Sequence, residues 1–197
     1  MNLPNQLTLA RFFLAILLFC LLYVYLRYVP QSWLLEVGGG IFLLAVVSDF
    51  LDGYLARKYG LETDFGRIAD PLVDKIMVCG CFIFFLSFSE RLPLEEWMVV
   101  LIIAREFGVN GIRAYLESQG CPFGARWWGK AKMVLQSVTI LWIFVYLSRL
   151  EGFSWSFYLT YGLILATVLV TLVSGVAYVI YAISSRAVEG QRGGSGE

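Results

Sequence analysis

The sequence predicts an all-α integral membrane protein built from six transmembrane helices, and three observations carry that expectation. Of its 197 residues 59% are apolar and only 15% are charged, far from the average of a soluble domain. Apolar stretches long enough to cross a hydrocarbon layer of ~30 Å, which takes about 20 helical residues, recur six times. Several of them are continuously apolar and aromatic-rich, whereas a membrane barrel would alternate in polarity over segments of roughly ten residues.

In chain order the stretches lie near 9–26, 33–57, 70–88, 94–117, 127–147 and 154–184. The first is too long for the apolar region of a signal peptide and no small-residue cleavage site follows it, so it is expected to remain as a helix. Orientation follows from the Lys and Arg residues, all of which fall on the side holding both termini except Arg27, Arg91 and Arg149. That side is the cytoplasmic one by the positive-inside rule. No internal repeat is visible. Residues 1–189 form one expected membrane domain, and the Gly-rich, polar stretch 190–197 reads as a disordered tail or an expression scar.

The net charge is zero, so no global field would recruit nucleic acid and none is expected as a partner. Cys20, Cys79 and Cys81 lie in apolar runs and Cys121 follows a glycine, with no metal or disulfide pattern among them. Histidine is absent, which removes the commonest general base and transition-metal ligand. Acid–base chemistry would fall to carboxylates.

Such carboxylates stand where they are costly. The run Ser48-Asp49-Phe50-Leu51-Asp52-Gly53-Tyr54-Leu55-Ala56-Arg57 closes the second stretch, and Gly66-Arg67-Ile68-Ala69-Asp70-Pro71-Leu72-Val73-Asp74-Lys75 opens the third. An aspartate at the centre of a spanning helix costs roughly 2.5 to 3.5 kcal/mol. A rise of ~1.5 Å per residue from Trp33 leaves Asp49 just inside the layer and Asp52 near its edge, as expected for a cytoplasm-facing cavity.

At about 100° per residue Gly38, Ala45, Asp49, Asp52 and Ala56 share one stripe, whose small residues would leave space beside the carboxylates. Asp70 and Asp74, one turn apart, also share a face. Folding the two helices together across the 58–65 turn would converge four hard oxygen ligands of the kind that hold Mg²⁺, Mn²⁺ or Ca²⁺. Gly53 would admit a ligand close to the backbone, and Arg57 offers a planar fork to phosphate. Together these features read as a cytoplasm-facing metal site holding a metal-bridged polyphosphate. The plainer alternative is an interfacial belt in which the acids pair with Arg57, Lys58, Arg67 and Lys75. A divalent-cation transporter would also place acids in helices, but it favours a midplane site and repeated broken helices.

With Asp49, Asp52, Gly53, Ala56, Arg57, Gly66, Asp70 and Asp74 at their fixed spacing, the region resembles the signature D-x2-D-G-x2-A-R-x8-G-x3-D-x3-D of the class I CDP-alcohol phosphotransferases. Eight specified residues make the signature specific. The resemblance implies a six-helix, usually dimeric membrane fold with two divalent metal ions, Mg²⁺ or Mn²⁺. It places metal on Asp49, Asp52, Asp70 and Asp74, makes Asp74 also the base, and gives the CDP moiety to Asp49, Gly53, Ala56, Arg57 and Gly66. Pro4-Asn5-Gln6-Leu7-Thr8 resembles the family's first segment, where Asn5 and Thr8 would face the pyrophosphate; helix capping is the other reading of those two.

Arg105-Glu106-Phe107-Gly108-Val109-Asn110-Gly111-Ile112-Arg113 and Gly129-Lys130-Ala131-Lys132 with Gln136 are similar to segments of phosphatidylglycerophosphate synthases. The implied reaction joins CDP-diacylglycerol to glycerol 3-phosphate. Arg105, Arg113, Lys130 and Lys132 would bind the acceptor phosphate, a dianion that needs cations; inositol phosphate, serine or phosphatidylglycerol are the other acceptors in the family. Asn110 and Met133 depart from the expected pattern, where Thr or Ser and Thr are common. The expected location is a bacterial inner membrane with the site and both termini cytoplasmic.

Overall fold

The computed structural model describes the backbone of residues 3–59, 64–118 and 127–193, and the side chains of residues 8–51, 69–116, 118, 129 and 131–183. Its regular structure, among the described residues, is six long helices: α1 (Leu3–Arg27), α2 (Ser32–Tyr59), α3 (Asp64–Phe85), α4 (Glu96–Ser118), α5 (Trp127–Val145) and α6 (Ser154–Gly193). A 3₁₀ turn, Leu86–Phe88, follows α3, and a wider π turn, Tyr146–Leu150, follows α5. Pro30 and Pro93 fall in the connections before α2 and α4, where a residue without an N–H costs no helical bond.

α3 begins at Asp64, six residues before the apolar run that marks it in the sequence. Its first turns mix Asp64, Gly66 and Arg67 with Phe65, Ile68 and Ala69 and so form no continuous apolar run. Pro71 sits inside the helix and cannot donate to the carbonyl four residues earlier, which loosens the ladder beside Asp70.

Among the described residues five segments are long and apolar enough to cross a membrane: Thr8–Arg27, Ser32–Leu51, Ala69–Phe88, Ala131–Leu150 and Ser154–Ile183. α4 is not among them. It spans 23 residues, about 34 Å at 1.5 Å per residue, but carries Glu96, Arg105, Glu106, Arg113 and Glu117. Outward faces are apolar: Phe50 is 73% and Ile183 65% exposed, a cost in water that lipid removes. The protein is an integral membrane protein.

α1 packs on α2 and α3, α2 on α5, and α6 on α4 and α5, while α3 touches α4 and α5 more lightly. Leu18, Leu22, Phe42, Phe82, Phe85, Ile102, Ile140 and Phe144 are fully or almost fully buried between them. Because lipid is as apolar as leucine, helices in membranes gain most by close backbone approach at small residues. A Cβ on Gly38 or Gly39 would come within 3.1 Å of Phe144, and one on Gly80 within 2.2 Å of Phe19. The sequence led us to expect open space at Gly38 on the carboxylate stripe, but Phe144 and Leu18 fill it, and Ala45 is the small residue of the stripe that borders a cavity among the described residues.

The helix ends remote from the aspartates are tied by charge. Arg91 donates to Glu151 Oε1 (2.6 Å), to the Tyr25 hydroxyl (3.1 Å) and to the Leu147 carbonyl (3.3 Å), while Tyr146 donates to the Arg91 carbonyl (3.1 Å). The hydrogen bond to Glu151 pushes the Arg91 pKa above its ordinary value. Arg149 pairs with Glu36 at 2.7 Å. Along the α5–α6 seam Thr139 meets Thr167 (2.8 Å) and Trp142 donates to Thr160 (2.9 Å). These hydroxyl and indole groups thus find partners across helices, as a non-aqueous surround favours.

Candidate active site

Three helices meet at Arg11. Its Nη2 donates to Asp70 Oδ1 on α3 at 2.6 Å and its Nη1 donates to Asp49 Oδ1 on α2. Thr8, one turn before it on α1, donates to the same Asp70 oxygen at 2.5 Å. The Arg11 side chain is only 4% exposed, against 38% for Asp49 and 40% for Asp70. A cation so deep in an apolar helix requires anionic partners. The two helices bearing aspartates are drawn onto α1 by that requirement.

Asp74 lies one turn beyond Asp70 and lines two cavities. The first, of about 280 Å³, runs between α2, α3 and α5; Arg11, Asp49 and Asp74 give it a polar end, and Phe42, Ala45, Val46, Met77 and Leu141 are among its apolar walls. The second, of about 270 Å³, lies among α3, α4, α5 and α6. Its charged lining is Lys75, Arg105, Arg113 and Lys132 against Asp74 and Glu106, an excess of two positive charges. Asp74 and Met133 are the residues common to both.

The second cavity is cross-braced. Glu106 accepts from Lys132 Nζ and from Gln136 Nε2 (3.2 Å), and stands 3.6 Å from Arg105 Nη1. Arg105 Nη2 donates to Ser174 on α6 at 2.9 Å, and its guanidinium lies 5.6 Å from the centre of the Tyr178 ring, within range of a cation–π contact. Gly175 makes this approach possible, since a Cβ there would stand 3.0 Å from Arg105 Cγ.

Thr8, Asp49 and Asp70 therefore come together, and Arg105, Arg113 and Lys132 surround one space with Asp74, which the sequence had grouped with the other aspartates. Asp74 does not join Asp49 and Asp70 in one tight set: no three metal-ligating side chains cluster among the described residues. Asn5, Asp52, Gly53, Ala56, Arg57, Gly66 and Lys130 lie outside the residues whose side chains are described. Of the alternative belt of counter-charges only Lys75 is described, and it donates to the Pro71 carbonyl (3.1 Å); Arg57, Lys58 and Arg67 lie outside the described side chains, and among the described residues Asp49 and Asp70 share Arg11. Arg11 was legible only as one of the cytoplasmic-side cations. Its position within the apolar span Thr8–Arg27 was the signal that it needed a carboxylate. Glu106, Gln136 and Tyr178 are the other site residues to which sequence reasoning gave no role.

The donor set can be tested against a divalent metal. Asp49 and Asp70 already embrace one positive charge, that of Arg11, with carboxylate oxygens, and the chain has no histidine. Hard oxygen donors around a cation are what Mg²⁺ or Mn²⁺ takes. The residues fit.

Residues 1–183 match the family model described as CDP-alcohol phosphatidyltransferase. The chain is 37% identical over 151 residues to the CDP-diacylglycerol--glycerol-3-phosphate 3-phosphatidyltransferase of Bacillus subtilis, covering 71% of this chain and 74% of that protein. The protein of the same description from Rickettsia typhi is 33% identical over 176 residues, 78% of this chain and 94% of its own. That of Salmonella choleraesuis is 32% identical over 148 residues, 72% and 76% of the two chains.

Proposed function

The chain belongs to the CDP-alcohol phosphatidyltransferase family, and from that premise we propose that it transfers the phosphatidyl group of CDP-diacylglycerol to glycerol 3-phosphate, giving phosphatidylglycerophosphate and CMP. The observation that supports a phosphate-bearing acceptor is the second cavity, whose excess of two positive charges complements a phosphate dianion and would be wasted on serine, though it suits an inositol phosphate as well as glycerol 3-phosphate. The names of the relatives from Bacillus and Rickettsia support glycerol 3-phosphate. The first cavity suits the donor: an apolar channel for acyl chains ends at Asp49 and Asp74, where the pyrophosphate would lie.

The family generally uses divalent metal ions, and on this reading Asp49, Asp52, Asp70 and Asp74 hold two, Mg²⁺ or Mn²⁺, which supply positive charge to the pyrophosphate and to the oxygen that leaves with CMP. Asn5, Thr8, Asp49, Gly53, Ala56, Arg57 and Gly66 hold the CDP moiety. Arg105, Arg113, Lys130 and Lys132 bind the acceptor phosphate and aim its hydroxyl toward Asp74, which borders both cavities and takes the hydroxyl proton as the oxygen attacks the phosphorus bearing diacylglycerol. One direct displacement suffices, with no covalent enzyme intermediate.

The same reading makes α4 the sixth span. Arg105 and Glu106 turn into the bundle, with side chains 9% and 5% exposed, so the charges that set α4 apart need not face lipid. Residues 1–189 then form one domain with its site and both termini on the cytoplasmic side, in a bacterial inner membrane and as a homodimer.

The test is CMP release by the purified protein in detergent with CDP-diacylglycerol and Mg²⁺ or Mn²⁺, offering glycerol 3-phosphate, inositol 1-phosphate, serine and phosphatidylglycerol separately. Release with glycerol 3-phosphate alone is expected, falling about 10²- to 10⁴-fold in Asp74→Asn, the usual range for a lost general base. Release with a different acceptor overturns the assignment of the second cavity.

A further inference from the structure

A buried carboxylate at the wall of an anion-binding cavity is an electrostatic contradiction. Glu106 is 4% exposed and lines the space assigned above to a phosphate. Its negative charge opposes that ligand at short range in a poorly screened setting. The groups around it resolve the contradiction. Lys132 and Gln136 on α5 both donate to Oε1, and Arg105 Nη1 stands 3.6 Å from the same oxygen. One carboxylate oxygen thus gathers cations from two helices that approach the cavity from different sides.

We propose that Glu106 is the positioning residue of the acceptor cavity: its carboxylate holds Lys132 and Arg105 in a fixed fork, so that the incoming phosphate meets cations already aimed at it. Without that anchor the Lys132 ammonium, 5% exposed, would have to satisfy its charge on a remaining carboxylate, and Asp74 lines the same cavity. Lys132 would then be drawn off the phosphate toward the group that receives the proton. Arg105 keeps its hold on Ser174, so the fork would lose one tine rather than collapse. The gain in binding from a prearranged site outweighs the repulsion of one paired negative charge.

This inference rests on the reading of the second cavity as an acceptor-phosphate site, and the experiment separates the two. Initial rates of CMP release are measured for wild type, Glu106→Gln, Gln136→Leu, Lys132→Met and Glu106→Gln with Lys132→Met, varying glycerol 3-phosphate and CDP-diacylglycerol in turn; thermal unfolding in the same detergent checks folding. Glu106→Gln should raise the acceptor KM about tenfold, with the donor KM within about twofold of wild type. Gln136→Leu, which leaves the charges in place, should raise it about threefold and provides the test if Glu106→Gln does not fold.

On the Lys132→Met background the Glu106→Gln change should add little, because most of what it positions has gone. An acceptor KM that is unchanged, or that falls as simple removal of a repelling charge would make it, overturns the proposal. So does an equal loss in both substrates, or independent effects that multiply in the double variant. Wild-type turnover with inositol 1-phosphate in place of glycerol 3-phosphate would instead refute the assigned acceptor, and the same series with that substrate would still decide the role of Glu106.

Discussion

Arg11 offers the sharpest physical test of the carboxylate site, because its replacement should be costly without metal and cheap with it. Arg11→Met keeps the apolar stem but removes the charge that lies on Asp49 and Asp70. Stranding one partner of a fully buried ion pair costs about 3–5 kcal/mol, and an exposed pair is worth about 0–1 kcal/mol. With Asp49 38% and Asp70 40% exposed, each loss belongs between those limits, and together they come to roughly 3 kcal/mol. For a chain of this size that is a fall in Tm of about 6–12 °C.

Unfolding can be followed with a thiol-reactive fluorescent dye, since Cys79 and Cys81 are buried and report on opening of α3, while Cys20 is exposed and sets the baseline. The scan rate is held fixed because a membrane protein in detergent unfolds irreversibly. Saturating Mg²⁺ or Mn²⁺ should return most of the lost Tm, a divalent ion taking over the charge that Arg11 supplied. An equal loss with and without metal would refute a metal site at these two aspartates. No loss in either condition would refute the ion-pair geometry itself.

Two further substitutions probe the frame around the site. Gly80→Ala places a methyl 2.2 Å from the Phe19 ring, which must then swing off its stacking partner Phe84, 5.5 Å away; overpacking of this kind costs about 1–3 kcal/mol, and an unchanged Tm would show that α1 and α3 are not so close. Arg91→Ala removes a partly exposed pair with Glu151 and the bonds to Tyr25 and Leu147. Its expected cost is about 1 kcal/mol, after discounting for solvent, with no change in the KM for glycerol 3-phosphate; a changed KM would mean that the remote ends of the helices shape the site.

Five of the six helices were legible as apolar runs of spanning length, whereas α4 has the length but carries too many charges to be among them; the approach of Asp49 to Asp70 was legible because helical period and the few residues between α2 and α3 leave those side chains few other places. The start of α3 was not legible, since its first turns, with Asp64, Gly66 and Arg67 among Phe65, Ile68 and Ala69, make no continuous apolar run. Arg11 was legible only as a charge on one side: a count of cations per side carries no depth, and burial is what turns Arg11 into a partner for Asp49 and Asp70. Glu106 was quoted in its motif without a role because Lys132 and Gln136 lie 26 and 30 residues away on another helix. Local spacing cannot reveal a contact made by the packing of α4 against its neighbours.

What the packing adds to the signature is a division of labour along α3. Four residues turn a helix through roughly 400°, so Asp74 is rotated about 40° from Asp70 and set one turn along the axis. Asp70 is thereby committed to Arg11 and Thr8 on α1, and Asp74 faces the seam where the two cavities meet. In-line displacement at phosphorus requires the attacking oxygen and the leaving oxygen on opposite sides of the reacting atom. On the proposed reading the acceptor arrives from the cationic cavity and CMP stays with the other, so the phosphorus must lie at that seam. On that reading Asp74, which lines both cavities, is the one placed to meet an acceptor hydroxyl, while Asp70 pairs with α1. The different roles proposed for two aspartates of one motif follow from one helical turn.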